Sequence, residues 1–309
     1  MGEIQGMISE AVLEGLRNYL PEENILLQEP MAGHTTFRVG GPADCLLQPE
    51  DEEQLINIQK YLQAVGIPWF VAGNGSNLLV SDQGYAGVVL QIGQKMSRIT
   101  VEDCILRAQA GASMAQAARA ALEHGLTGLE FASGIPGTVG GGVVMNAGAY
   151  GGEMSQVVEQ VNVIDCQGER MELQSEAMEF GYRSSVIRNN PFIVTEVVFR
   201  LEKGDREQIR KTMEELAVRR REKQPLEYPS AGSTFKRPEG NFAGKLIMDA
   251  GLRGFQIGGA RVSDKHCGFI INTGGATARD IRDVIIRVQE QVKDRFRVEL
   301  ETEVVLLGF

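Results

Sequence analysis

The chain has 309 residues, 43% of them hydrophobic and 23% charged, and a formal net charge of −10. That length predicts two or three domains of roughly 100–200 residues each, and the composition is that of a globular protein with a substantial core. The acidic balance excludes general nucleic-acid binding, which needs a basic face, and leaves local basic patches for a phosphorylated small molecule.

Residues 8–20 read as a short amphipathic helix ended by Pro21. The start, MGEIQGMISEAVLEGL, carries acids and no basic region ahead of an apolar run, so no signal peptide is expected. No stretch of about 18 apolar residues predicts a membrane span. DEEQLINIQKYLQAV (51–65) places Leu55, Ile58, Leu62 and Val65 at helical spacing, with acids in the first turn and Gly66 as the stop. PWFVAG reads as a buried strand running into the loop GNGSN, and LLV and GVVLQI as further strands.

A second segment starts near residue 96. CILRAQAG is a strand, and SMAQAARAALEHG (113–125) is an N-capped helix with a glycine stop. VVEQVNVID and ERMEL form a hairpin across a Gln-Gly turn, followed by the strand FIVTEVVFRL (192–201). A third segment opens with a helix over 205–223. It continues through KLIMDAG, the strand CGFIIN, a long helix over 277–293 and a last strand VELETEVVLLG. Strands and helices mix without strict alternation, which predicts an α+β fold rather than one doubly wound sheet.

Four cysteines, Cys45, Cys104, Cys166 and Cys267, stand far apart without a CxxC pair. Neither a zinc site nor a dithiol redox site is supported, and free thiols in a reducing cytoplasm are expected. The 37 glycines cluster, and clustered glycine marks backbone that turns tightly or approaches a ligand closely.

VAGNGSNLLVSD (71–82) is strand, glycine loop, strand. It has Gly73 and Gly75 but neither the third glycine nor the following helix of a Rossmann pyrophosphate turn. Its successive N–H groups can still cup an anion, with Asn74, Ser76 and Asn77 adding side-chain donors. The bland alternative is a hairpin turn. FASGIPGTVGGGVVMNAGAYGG (131–152) carries no charge. It interleaves Gly134, Gly137, Gly140 and Gly141 with Ile135, Pro136, Thr138, Val139, Val143, Val144, Asn146 and Ala147. A flexible linker would be polar, so this is ordered backbone, pressed against something flat or phosphorylated or, as the bland alternative, packed in a tight turn crossing. Two such loops in separate segments suggest a dinucleotide held between them, and the missing Rossmann parts point to FAD in a different fold rather than to NAD.

TTFRVGGPAD (35–44), AGNGSNLLVSD (72–82), LEFASGIPGTVGGGVVMNAGAYG (129–151), YRSSVIR (182–188), AGSTFKRP (231–238), GGARVSDKHCGFIIN (258–272) and ETEV (301–304) occur in this order. Together they resemble the UDP-N-acetylenolpyruvoylglucosamine reductases, the flavoenzymes of bacterial peptidoglycan synthesis, over roughly residues 30–308. The resemblance implies an α+β fold: a two-subdomain FAD-binding module of the vanillyl-alcohol-oxidase (PCMH) type and a C-terminal α+β substrate-binding domain. On that basis 1–29 is an N-terminal helical segment, 30–95 and 96–204 are the FAD-binding subdomains, 205–300 is the substrate-binding domain, and 301–309 is a C-terminal strand. It also implies non-covalent FAD, NADPH as reductant and UDP-N-acetylglucosamine enolpyruvate as substrate. No obligate protein partner is implied, and the cytoplasm is the expected location. NADPH would reduce the flavin, whose N5 would pass a hydride to the enolpyruvyl double bond.

Hydride addition next to a carboxylate leaves an enolate-like charge, and the neighbouring carbon must then be protonated. Such a site needs a proton donor and groups that hold the carboxylate. By the resemblance, Ser233 is the proton donor, Arg183 grips the carboxylate and neutralises the enolate, and Glu303 faces the substrate. Alternation on the expected last strand puts Glu301 and Glu303 on one face. Lys236 and Arg237 keep the neighbourhood of Ser233 positive, and Gly232 lets the chain come close. Tyr182, Lys223, Gly232, Arg237 and His266 are the expected substrate contacts, with a satisfied structural histidine the even alternative for His266, and Gly73–Asn77, Gly134–Thr138, Gly140, Gly141, Asn146 and Ala147 are the expected FAD contacts. Arg219, Arg220, Arg221 and Lys223 either steer the diphosphate or merely suit a helix C-terminus. His34, which could suggest a covalent flavin link, is read as structural because the family binds FAD non-covalently.

Some relatives carry a long insertion with a substrate-covering tyrosine between the arginine and serine motifs. Here positions 183 and 233 are only fifty apart, so the chain resembles the shorter subclass. Two other readings compete. An oxidase of the same fold would want a covalent histidine or cysteine link, and a non-catalytic nucleotide-binding module would be indifferent to Ser233.

Overall fold

The computed structural model of the protein describes residues 8–309. The described chain packs as two units that alternate along the sequence. The first holds residues up to 27, 45–74 and 87–220, and the second holds 28–44, 75–86 and 221–309. Each unit thus draws on more than one of the successive segments read from the sequence.

The first unit centres on a five-stranded antiparallel sheet. Its strands lie in the spatial order Arg170–Gln174, Val158–Ile164, Ile193–Arg200, Ile105–Gln109, Ile99–Glu102. The expected hairpin is there, with Ile164 opposite Arg170. Its turn is closed by Asp165, whose carboxylate accepts from the N–H groups of Gln167 and Glu169 at 2.8 and 2.9 Å. A parallel pair, Trp69↔Val88 to Ala72↔Gln91, lies elsewhere in the unit. The helix Glu52–Ala64 turns Leu55, Ile58 and Leu62 inward, and Asp51 caps its start by accepting from Gln54 N–H at 2.8 Å. Met114–Glu123 opens with a reciprocal Ser113–Gln116 cap. Leu55, Ile58, Leu62, Leu106, Val161, Val197 and Phe199 belong to one continuous apolar core.

The second unit has its own core, with Phe37, Ile247, Ile270 and the inner stripe of the long helix Ala278–Phe296. That stripe, Ala278, Ile281, Val284, Ile285, Val288 and Val292, follows helical spacing. The helix starts on a Thr277–Asp280 capping box. Asp82 adds a second cap, accepting from the N–H groups of Ala278 and Arg279 at 2.8 Å each. Three short strands, Gln256–Ile257, Ala260–Val262 and Ile270–Asn272, form an antiparallel sheet beside it.

One expectation differs from the structure. The last strand is confined to Val305–Leu307, parallel to Leu78–Val80. Residues 297–304 form only an isolated bridge at Thr302, so Glu301 and Glu303 flank a single bridge rather than lie within the last strand. Val139–Val144 is a helix within the glycine-rich stretch, to which the sequence pattern assigned no element.

Candidate active site

The two glycine loops meet in the first unit. Asn74 Nδ2 donates to Pro136 O at 3.2 Å. A Cβ on Gly73 would stand 2.4 Å from Thr138 Oγ1, so glycine leaves room for the Thr138 side chain. Thr138 caps the helix Val139–Val144, its Oγ1 accepting from Gly141 N–H at 3.2 Å. Gly140 N–H donates to Ala110 O at 2.9 Å, and Met114 N–H donates to Gly137 O at 3.1 Å. Ile135 and Ala147 close local turns onto Ala132 O and Gly142 O at 3.0 and 2.8 Å. The helix forms because its glycines have no side chain to hold it off Ala110, Met114 and Met154. Tertiary packing outweighs the poor helix propensity of glycine.

The loop contains donors without acceptors. The backbone N–H groups of Gly73, Asn74, Gly75, Ser76 and Asn77 meet no acceptor among the described residues, and neither do those of Gly137 and Thr138. Consecutive unfilled N–H groups form a cup for anionic oxygens. Unfilled N–H groups are what a diphosphate needs, so the residues present fit FAD. In the second unit, Gly75 has φ +59° and a Cβ there would lie 2.1 Å from His34 O. His34 itself is spent on Glu29, Nε2 to Oε1 at 2.9 Å, as a structural histidine would be.

Arg183 lies in the first unit, on a tight turn seated against the end of the glycine-rich stretch. Ser185 Oγ donates to Val144 O at 3.0 Å. Asn146 is 2% exposed, donates through Nδ2 to Gly181 O at 3.0 Å and accepts from Ser155 N–H at 3.0 Å. The Arg183 guanidinium reaches Gly148 O at 3.3 Å and lies 5.2 Å from the ring centre of the exposed Tyr182.

Ser233 and Glu303 belong to the second unit, where short backbone segments bring them together. Phe235 bridges Thr302, Glu303 N–H donates to Thr234 O at 2.8 Å, and Lys236 N–H donates to Glu301 O at 2.9 Å. Thr234 is fully buried and anchors this pairing, its N–H donating to Gly268 O at 2.8 Å and its Oγ1 accepting from Ile270 N–H at 3.2 Å. Asn77 fastens the other side: its Nδ2 donates to Glu303 O at 3.0 Å and its carbonyl accepts from Val305 N–H at 2.9 Å. Ser233 and Glu303 themselves stay partly exposed. Gly232 serves conformation rather than close approach, with φ +73° and nothing within 4 Å of a built Cβ.

The remaining expected contacts are scattered over the second unit. Lys236 is neutralised by Glu301 at 2.8 Å, so less positive charge surrounds Ser233 than the sequence suggested. Arg237 stacks 4.0 Å over the ring of Phe242. Lys223 ends the helix Arg206–Lys223 and is exposed. His266 Nδ1 accepts from Gly268 N–H at 3.1 Å, the ring meets Phe269 edge-on at 5.0 Å, and burial pushes its pKa below the ordinary value.

The separate place of Arg220 is not visible in the sequence, where 219–221 reads as one exposed patch. Arg220 instead turns inward in the first unit, donating to Gly134 O and lying 6.0 Å from the Tyr150 ring centre. Burial lowers its pKa, with Tyr150 opposing that shift. One-turn spacing along the helix could have separated it from Arg219 and Arg221, but the partner carbonyl leaves no mark in sequence.

Two family models match the chain. Residues 43–174 match a family described as FAD binding domain. Residues 224–307 match the UDP-N-acetylenolpyruvoylglucosamine reductase C-terminal domain. The UDP-N-acetylenolpyruvoylglucosamine reductase of Caldanaerobacter subterraneus is 51% identical over 301 residues, 97% of this chain and 99% of that protein. That of Clostridium perfringens is 52% identical over 293 residues, 95% and 96% of the two chains. The crystal structure of the Thermus caldophilus UDP-N-acetylenolpyruvylglucosamine reductase superposes with a TM-score of 0.78 at 36% identity, covering 92% of this chain and 98% of that one. The fold is therefore α+β, an FAD-binding domain followed along the chain by the reductase C-terminal domain.

Proposed function

Because the chain belongs to the UDP-N-acetylenolpyruvoylglucosamine reductase family, we propose that this FAD-dependent oxidoreductase uses NADPH to convert UDP-N-acetylglucosamine enolpyruvate into UDP-N-acetylmuramate in the cytoplasmic stage of peptidoglycan synthesis. The observation that carries the residue roles is the backbone pairing that lays the Ser233 segment against the Glu303 segment, with both side chains left partly open.

When bound, FAD supplies hydride transfer. The N–H groups of Gly73–Asn77, Gly137 and Thr138 would hold its diphosphate, and Gly134, Ile135, Pro136, Gly140, Gly141, Asn146 and Ala147 would complete its site. Arg183 grips the substrate carboxylate through two parallel N–H bonds and offsets the enolate charge that develops there. Ser233 Oγ–H then gives its proton to the carbon beside that carboxylate. A hydroxyl is a poor acid in water and becomes an adequate one where water is excluded and a developing carbanion lies against it. Glu303 assists the enol from the neighbouring segment. Lys223 and Arg237 meet the nucleotide diphosphate end of the substrate, with Tyr182, Gly232 and His266 lining its path.

The test separates the two half-reactions. In Ser233→Ala, NADPH should bleach the flavin at the wild-type rate, while reoxidation by the enolpyruvyl sugar falls by about 10²–10⁴, the usual worth of a positioned acid. Unchanged reoxidation would remove Ser233 from this role. A protein that cannot take up FAD would sink the whole reading.

A further inference from the structure

The turn that carries Arg183 breaks a local rule. Gly181 and Ser184 close it from both ends, Gly181 N–H to Ser184 O at 3.0 Å and Ser184 N–H to Gly181 O at 3.2 Å. Arg183 is its third residue, with φ 54°. Tight turns with a left-handed third residue favour glycine or asparagine there, because a Cβ crowds the backbone. Such strain persists only where the surroundings over-determine it.

Three contacts do so. Asn146 holds Gly181 O from below, Ser185 ties the turn to Val144 O, and Arg188 Nη1 donates to the carbonyl of Arg183 itself at 2.9 Å. Arg188 is exposed, and its other contact is a long one to Met145 Sδ at 3.9 Å. Its strongest contact is therefore with the one strained peptide of the motif. A glycine would relieve the strain at position 183 but would carry no guanidinium.

We propose that Arg188 and Ser185 are positioning residues for Arg183. They lock the left-handed turn onto the end of the glycine-rich stretch, so that the guanidinium is presented in one orientation. The inference rests on the reading of Arg183 as the carboxylate grip. A two-point grip depends on orientation, and a displacement of about 1 Å can cost a hundredfold in rate.

The experiment uses the flavin-loaded protein, reduced by NADPH and reoxidised by the enolpyruvyl sugar in rapid mixing. Arg188→Met should slow reoxidation about tenfold, equivalent to roughly 1.4 kcal/mol, with flavin reduction and flavin content unchanged. Arg188→Lys, which keeps a donor, should recover most of the rate. Ser185→Ala should slow the same step several-fold. In an Arg183→Ala background, Arg188→Met should add nothing further. If Arg188→Met has no effect, or costs the same tenfold without the Arg183 side chain, the positioning role is overturned. It is overturned equally if Arg188→Met lowers both half-reactions and the melting temperature together. If Arg183→Ala alone reoxidises at the wild-type rate, it is the reading of Arg183 that fails, a result distinct from the others.

Discussion

In the first unit a Cβ on Gly140 would stand 2.8 Å from the Ala110 Cβ and 3.2 Å from its carbonyl, whereas in the second unit a Cβ on Gly232 would meet nothing within 4 Å. Both glycines sit beside residues expected to bind ligand, but they answer different demands. Around Gly73 and Gly140 the constraint is space for the neighbouring Thr138 side chain and Ala110. At Gly232 it is the left-handed conformation of the residue before Ser233. The cofactor region is thus built by removing side chains, and the Ser233 region by aiming one.

Substitutions can break this contrast. Gly140→Ala should cost about 1–3 kcal/mol by overpacking, despite the gain of nearly 1 kcal/mol that alanine brings to an open helix position. Its bound flavin should fall with it, measured as the flavin-to-protein ratio and the denaturation midpoint. A stabilised Gly140→Ala protein with full flavin would show that the Ala110 contact yields easily. Gly232→Ala should cost less, on the order of 1 kcal/mol of left-handed strain, and keep its full flavin complement. Equal flavin loss in the two variants would erase the distinction.

The smallest expected effect concerns pH. Burial holds the folded-state pKa of His266 below its ordinary 6.5. Below about pH 6.5 the unfolded chain therefore takes up a proton that the folded chain refuses, and stability falls as pH drops toward the folded value. Above that window the contribution is constant. His266→Gln should flatten the melting-temperature profile on the acid side, and an equally steep profile would assign the slope to other groups.

How much was legible differs between elements for physical reasons. The helix Glu52–Ala64 and the hairpin Val158–Gln174 were readable because their periodicity, caps and turn residues are local. The helix Val139–Val144 was not, since its stability comes from Ala110, Met114 and Met154 across the unit. The last strand was overread because an alternating run cannot reveal how many of its residues find a partner. Only Val305–Leu307 lies along Leu78–Val80. At the site, the motif order named Arg183, Ser233 and Glu303 as candidates. The contacts of Arg188 and Arg220 were hidden because both bond to carbonyls, and every residue has a carbonyl.

By itself the sequence determined the family, the α+β class, the two glycine loops and the residue types available for an acid and a carboxylate grip. These depend on composition, spacing and ordered motifs along one chain. Only the tertiary structure decided which backbones touch. It joined Gly73 to Thr138, seated the strained Arg183 turn on Val144 and Asn146, laid Ser233 beside the Glu303 segment, and cancelled Lys236 with Glu301. Those outcomes depend on distances of a few ångströms between residues tens of positions apart, and local propensity carries no information about them.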